Sequence, residues 1–335
     1  MSHIVHLSKN KKNLEYRFRI LKLIRRFFES EQFTEVDAPE ILALPGQEPN
    51  LQPMKVVVLD ENKHEHVGYL HTSPEYVMKK MLTVGWDKIY YLGKCYRNQE
   101  SFGGTHNPEF TMIEWYRTQV NYEKLMSDIE ALWQYCVNNL PKLNIADNLK
   151  QPWKRVTMKE LWQEKVGVNL DEYLTTESMR RLVIDHGYNP GEHESYEELF
   201  YRIFLNKIEA QLGFDAPTIV CEYPAVMASL SKLTPDGKYA ERFEAYINGI
   251  ELANAFSELT DADEQLKRLV AEKEERARLG LDVFEVDNEF VEALRAGMPQ
   301  STGIALGVDR LIMLLLACSN INDVLVLPMS KLFNE

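Results

Sequence analysis

Residues 241–259, ERFEAYINGIELANAFSEL, hold two glutamates whose spacing suggests chemistry. Asn248-Gly249 stands between two β-type runs, the pattern of a two-residue hairpin turn. Taken literally, that turn sets Ile247 opposite Ile250, Tyr246 opposite Glu251 and Glu244 opposite Ala253. Side chains alternate along a strand, so Glu244, Tyr246 and Glu251 share one face. Glu244 and Glu251 are then diagonal neighbours, with Cβ atoms roughly 7–8 Å apart. Two such carboxylates repel unless something cationic lies between them. A solvated outer face would tolerate the pair, and Mg2+ carrying nucleotide phosphates would use it. Phe243, Tyr246, Leu252 and Phe256 crowd the segment and favour the buried setting.

A second group lies in residues 88–117. KIYYLGKCYR and EFTMIEWYR read as strands joined by the long polar loop NQESFGGTHNP. Arg97 closes the first strand, and the loop carries His106 and Asn107. Phe110, Met112, Glu114 and Tyr116 share a face of the return strand. A glutamate on that core-like face is costly unless paired. A salt bridge to Arg97 is one account. The other is a site where Arg97 meets phosphate or carboxylate and Glu114 meets an amine. A third group is TGIALGVDRLIMLLL (302–316), where Gly303 and Gly307 permit close approach to the backbone. Asp309 suits a helix start, whereas Arg310 in the first turn opposes the helix dipole. Such a conflict marks working sites more often than idle ones. His64 and His66 sit in a polar turn and read as solvated. Ser73 has no visible His/Asp partners for nucleophilic chemistry.

The elements that must position these residues are legible in outline. Residues 1–13 read as a frayed basic tail, followed by a helix from Leu14 to about Phe33. The prolines and glycine of 45–53 make a loop. Short strands are expected at 56–59 and 67–70, and a helix at 74–84 capped by Thr72 or Ser73. Residues 122–140 are helical. Residues 155–215 hold broken helical patterns and read as a helical insertion within a domain spanning 14–335. Strands follow at 217–223 and 241–259, a charged helix at 261–279, and a strand running into an apolar helix at 302–318. The fold class is α+β, with an antiparallel sheet flanked by helices.

Composition narrows the choice. Of 335 residues, 45% are hydrophobic and 27% charged, the usage of a globular domain. A net charge of −13 weakens any reading as a broad nucleic-acid binder. No apolar run reaches the roughly 20 residues of a membrane span, and no secretory signal is visible. The four scattered cysteines read as reduced thiols, which favours the cytoplasm.

In this order the segments resemble the catalytic domain of class II aminoacyl-tRNA synthetases, in the lysyl branch. FTEVDAPEILA (33–43) is similar to motif 1, the dimer-forming element. CYRNQESFGGTHNPEFTMIEWY (95–116) is similar to motif 2, and GIALGVDRLIML (303–314) to motif 3. Motif 1 begins by residue 33, so no anticodon-binding barrel is expected ahead of it. That resembles the short paralogues of the branch, which activate (R)-β-lysine with ATP and attach it to a lysine side chain of elongation factor P. The resemblance implies ATP contacts at Arg97, Asn98, Gln99, His106, Asn107, Phe110, Glu244, Ala245, Gly307 and Arg310. It implies amino-acid contacts at Ser73, Pro74, Glu75, Glu114, Tyr116, Glu251, Asn254 and Glu258. Ala305 stands where lysyl enzymes usually have glycine and is expected to favour a β-amino acid. Mg2+ is assigned to Glu244 and Glu251. A homodimer is implied, and tRNA is a poor acceptor for so acidic a chain.

Departures accompany the match. Gln99 replaces the usual glutamate of motif 2, and Glu100 is positioned to slip into its role because the loop is about one residue longer. Thr105 replaces an arginine. Strict alternation puts Asn254 on the face opposite Glu251; if both serve one pocket, a bulge or twist must lie near Leu252–Ala253. The alternatives are a free-standing synthetase-like enzyme with a tRNA or small-molecule acceptor, and an inactive nucleotide-binding module.

Overall fold

The structure, a computed structural model, describes residues 3–333. Its elements run α1 (His3–Ser30), β1 (Thr34–Glu35), β2 (Ile41–Leu42), β3 (Met54–Leu59), β4 (Glu65–Leu70), α2 (Glu75–Thr83), β5 (Lys88–Tyr96) and β6 (Glu109–Thr118). Then come α3 (Tyr122–Asn138), β7 (Lys154–Thr157), α4 (Met158–Lys165), α5 (Thr176–Asp185), α6 (Tyr196–Lys207), β8 (Thr218–Pro224), β9 (Tyr239–Ile247) and β10 (Ile250–Ser257). The chain closes with α7 (Ala262–Arg278), α8 (Asn288–Arg295), β11 (Ser301–Gly307), α9 (Val308–Leu316) and a short α10 (Met329–Leu332). There are two compact units. One takes Met1–Val120, Ala131–Asn144 and Leu259–Glu335, and the other Asn121–Glu130 and Ile145–Glu258.

In the first unit the strand order is β1-β5-β6-β11, antiparallel except for β1. Alternation along β6 sorts its side chains. Trp115 faces α1, where Phe28 meets it at 5.1 Å and stacks on Tyr90 at 4.7 Å. Ile20, Ile24, Phe28 and Trp115 are fully buried, each contributing about 1.5–3 kcal/mol of apolar burial. The opposite face of β6 presents Glu114 and Tyr116. β2, β4 and β3 form a separate antiparallel sheet.

Residues 3–13 of the tail expected over 1–13 instead form the start of α1, residues 1 and 2 lying outside the described residues. Its buried positions there are polar, so no apolar stripe announced it. His6 bonds the Leu325 carbonyl through Nε2 at 3.1 Å, and Asn13 donates to the Asp323 carbonyl at 3.2 Å. Arg17 forms a buried ion pair with Asp309 and donates to Thr111 Oγ1 at 2.7 Å, while the Thr111 amide donates to Asp309 Oδ2 at 2.7 Å. The helix is thus fixed by hydrogen bonds to the C-terminal segment, which satisfy buried polar groups on both sides.

In the second unit the order is β10-β9-β8-β7. Asn248 and Gly249 have φ of 51° and 72°, the left-handed pair a type I′ turn needs. Past the turn, Tyr246 faces Glu251, but the register then shifts between Glu251 and Ala253. Glu244 consequently faces Asn254, not Ala253 as strict alternation had it. This register shift falls where a bulge or twist was named as the condition for a shared pocket, and it returns Asn254 to the face of Glu251. Helices α4, α5 and α6 each start in a capping box, with Thr157, Thr175 and Ser195 as caps. They share a core in which Trp162 stacks on Phe200 at 4.9 Å.

Candidate active site

Antiparallel pairing of β5, β6 and β11, with α2 packed on β6, builds the site of the first unit. Ser73 ends the loop before α2. Its Oγ accepts from the Glu75 amide at 3.1 Å and donates to Glu114 Oε2 at 2.7 Å. Tyr116, two residues along the same strand face, donates to Glu114 Oε1 at 2.6 Å. Pro74 occupies the N-cap position of α2. Glu75 meets Lys79, one turn on, at 2.5 Å, and that lysine is 1% exposed. Glu114 is 2% exposed. Burial, then repulsion from Glu75, pushes its carboxyl up to about 8, against the bonds from Tyr116 and Ser73 and the charge of Lys79. Ala305 sits directly opposite Glu114 on β11, flanked on the same face by Gly303 opposite Tyr116 and Gly307 opposite Met112. The Ala305 methyl is the only β-carbon in that row of three.

The motif 2 residues gather near Arg310. Arg97 lies over the Phe110 ring at 5.1 Å, and its buried Nε has no partner among the described residues. A buried guanidinium N–H without an acceptor suits an anionic ligand such as phosphate or carboxylate. Arg310 donates to the Thr105 carbonyl at 3.2 Å and to His106 Nε2 at 2.8 Å. Burial, then the Arg310 charge, lowers the His106 pKa, consistent with a neutral ring that accepts this bond. Asn98 and Gln99 are exposed, Gln99 in the left-handed region with φ 62°. Glu100, not Gln99, approaches His106, at 3.9 Å. Asn107 is spoken for: it donates to the Glu109 carbonyl at 2.6 Å and accepts from the Met329 amide at 3.0 Å. Its side chain pins the loop. Arg97 and Glu114 are not hydrogen-bonded to each other, so the simple salt-bridge account of that strand pair falls away.

In the second unit Glu244 is 5% exposed and its carboxylate is already engaged. Arg242 donates to Oε1 at 2.6 Å, and the hydroxyls of Tyr223, at 2.6 Å, and Tyr246 both donate to Oε2. Arg242 also reaches Asn254 Oδ1 at 3.3 Å and the Met227 carbonyl at 2.9 Å. Arg242 thus supplies, within the chain, a cation for Glu244. A carboxylate holding a guanidinium and two phenols does not suit Mg2+, which needs oxygen lone pairs to spare. The Glu244 half of the expected metal pair does not fit this geometry. Among the described residues no group of three His, Cys, Asp or Glu side chains could hold a metal ion. Glu251 and Asn254 are partly exposed, Glu258 is 3% exposed, and Ala245 is fully buried between Ile219 and Ala253.

Sequence reasoning missed Lys79, Arg242 and Arg17. The Glu75-to-Lys79 spacing is a helical i,i+4 pair and was readable. Arg242 carried a signal too, since it shares a strand face with Glu244. Arg17 gave none, because its partner is distant in the chain. Among the described residues, no helix is long and apolar enough to cross a membrane.

The antiparallel-dominated sheet, its flanking helices and this set of motif residues define a class II synthetase fold. The family described as tRNA synthetases class II (D, K and N) matches residues 3–331, and the chain belongs to it. Among its relatives, the elongation factor P–(R)-beta-lysine ligase of Avibacterium paragallinarum is 35% identical over 311 residues, 92% of each chain. The proteins of the same name from Yersinia enterocolitica and Yersinia pestis are each 36% identical, over 95% of both chains.

Proposed function

We propose that this protein is an ATP-dependent ligase that activates (R)-β-lysine as its adenylate and transfers it to a lysine side chain of elongation factor P. The observation that carries this reading is the buried Glu75–Glu114 cluster with Ser73 and Tyr116. Buried carboxylates in excess of their internal cation favour a ligand that brings ammonium groups. A lysine-type amino acid has two. The names of the relatives supply the isomer and the acceptor.

In the first half-reaction a carboxylate oxygen of the amino acid attacks the α-phosphorus of ATP and pyrophosphate leaves. Arg97 and Arg310 hold the anionic groups, and Phe110 offers its ring to adenine. In the second, a neutral lysine amine of the acceptor attacks the acyl carbon. AMP leaves, and the amine gives up a proton. Positioning and fixed charge supply the acceleration, with no covalent bond to the protein. Ser73, Pro74, Glu75, Glu114, Tyr116, Glu251, Asn254 and Glu258 are proposed as amino-acid contacts on their motif match, and Ala305 as the residue selecting the isomer. Mg2+ is a proposed companion of ATP. The reading includes a homodimer built on the motif 1 region and a place in the cytoplasm.

Mass spectrometry tests it. Incubation with ATP, (R)-β-lysine and elongation factor P should add one lysyl mass to a single acceptor lysine, with negligible charging of tRNA-Lys. Efficient charging of tRNA-Lys with the factor unmodified would instead make the protein a free-standing synthetase.

A further inference from the structure

The loop from Pro45 to Gln52 contains an acidic residue that no motif covers. It is held unusually firmly for a proline- and glycine-rich stretch. Arg276, fully buried on α7, donates to the carbonyls of Glu48 at 2.9 Å and Leu51 at 3.0 Å, and to Gln52 Oε1 at 3.2 Å. Gln47, also fully buried, donates to the Glu285 carbonyl at 2.8 Å, and the Asn98 amide donates to the Gln52 carbonyl at 2.6 Å. These anchors fix the backbone on both sides of Glu48. Its carboxylate folds over Gly46 so closely that a β-carbon there would lie 2.2 Å from Oε2, so the position excludes any side chain while Glu48 keeps this pose.

That Oε2 atom is buried and accepts no hydrogen bond from another residue among those described. A carboxylate oxygen in this condition has lost its water without gaining a partner, which is costly. Glu48 lies within electrostatic reach of Glu75, Arg97, Lys79 and Tyr76. Burial and then Glu75 raise its pKa, the mark of negative charge not fully offset in the empty protein. The buried Arg97 Nε without a partner belongs to the same neighbourhood. A carboxylate oxygen with no donor from another residue and a guanidinium N–H with no acceptor thus lie within electrostatic reach of each other, and the loop of the first is bonded at Gln52 to Asn98, the neighbour of the second. An amino acid brings the complement of both, an ammonium beside a carboxylate.

We propose that Glu48 is a substrate-binding carboxylate that, with Glu75, receives the amine nearer the reacting carboxyl group. Glu114 then keeps the distal amine. The assignment of ends follows from Arg97, which is the group suited to the substrate carboxylate or phosphate and is the neighbour of Glu48. This inference rests on the proposed lysine-type substrate. Glu48 would be a third acidic contact beside Glu75 and Glu114, set in a loop rather than on α2 or β6.

The test compares wild type with Glu48→Gln and Glu48→Asp by ATP–pyrophosphate exchange. The substrate is (R)-β-lysine, and 6-aminohexanoate, which lacks the proximal amine, serves as a competitive inhibitor. Glu48→Gln should raise KM for (R)-β-lysine at least tenfold, with kcat within about threefold and KM for ATP unchanged. Its Ki for 6-aminohexanoate should equal that of wild type, and Glu48→Asp should recover most of the affinity. The thermal midpoint of the ligand-free Gln variant should not fall, because the substitution removes a buried charge. An unchanged KM for (R)-β-lysine would overturn the proposal. So would equal losses for both compounds, or a lowered midpoint with proportional loss of kcat, which would give Glu48 a structural role. Wild type inactive with every lysine isomer would sink the substrate reading itself, a result distinct from any difference among variants.

Discussion

Glu114 holds its proton far better than a carboxyl in water. Its pKa, raised to about 8, lies above that of the unfolded chain, so the folded protein binds more protons between the two values. The contribution of this residue to stability is therefore full in acid and declines as pH rises towards about 8. Ligand binding runs the other way, since an ammonium group is held by the ionised carboxylate. We expect KM for the amino acid to fall by up to tenfold per pH unit as pH rises, with a break near pH 8, while KM for ATP stays flat. Glu114→Gln should remove the break and weaken amino-acid binding severely. Steady-state exchange kinetics between pH 6 and 9 check this, and a break retained in the variant would transfer the titration to another group. Much at this scale was legible beforehand. The cost of a glutamate between Met112 and Tyr116 called for partners, which the structure supplies in Ser73 and Tyr116, and the Asn248-Gly249 turn gave the start of the hairpin register. The fate of Glu244 was not legible, because Tyr223 comes from another strand and no local pattern predicts that it donates to this carboxylate.

Between elements, the structure depends on contacts that periodicity does not encode. The expected strands of the first unit match β3, β4, β5, β6 and β11 closely, since aromatic and branched residues mark them. The start of α1 was lost because its inward positions are His6 and Asn10. Arg17, further along the helix, tethers α1 through Asp309 to α9, the helix that carries Arg310. Arg17→Met should leave Asp309 buried without its cation and cost about 3–5 kcal/mol. Arg17→Met combined with Asp309→Leu should cost less than the sum of the two single changes. Chemical denaturation of the three variants measures the coupling, and strict additivity would show that the pair contributes no mutual stabilisation. α8 (Asn288–Arg295) was also missed. It is short, and its apolar face is only Phe290, Val291 and Leu294.

For the whole molecule, the question is what covers its apolar surface. Ile41, Val57, Leu59 and Val67 in the small sheet are each about half exposed or more, at 49%, 54%, 59% and 48%. Apolar groups gathered on one small sheet mark an interaction surface more often than scattered ones do. The proposed homodimer gives them a role, because the motif 1 region leads into this sheet through β2. Sedimentation at micromolar concentration should give twice the chain mass, and Val57→Glu should shift the protein towards monomer. A wild-type monomer would count against the dimer. The charge of −13 points the same way as the proposed acceptor, since a polyanion such as tRNA is repelled at long range while a protein lysine needs only local access.

The clasp between α1 and the C-terminal segment has a consequence for how the chain is made. His6 and Leu325 are 319 residues apart in sequence, and Arg17 and Asp309 are 292 apart. Closing contacts of such span is slow, because the intervening chain must first lose its freedom. During synthesis the first helix leaves the ribosome long before its hydrogen-bonding partners exist. Until the final segment emerges, its buried polar side chains can be satisfied only by water. A helix translated some three hundred residues before its partners is thus among the last elements to be secured.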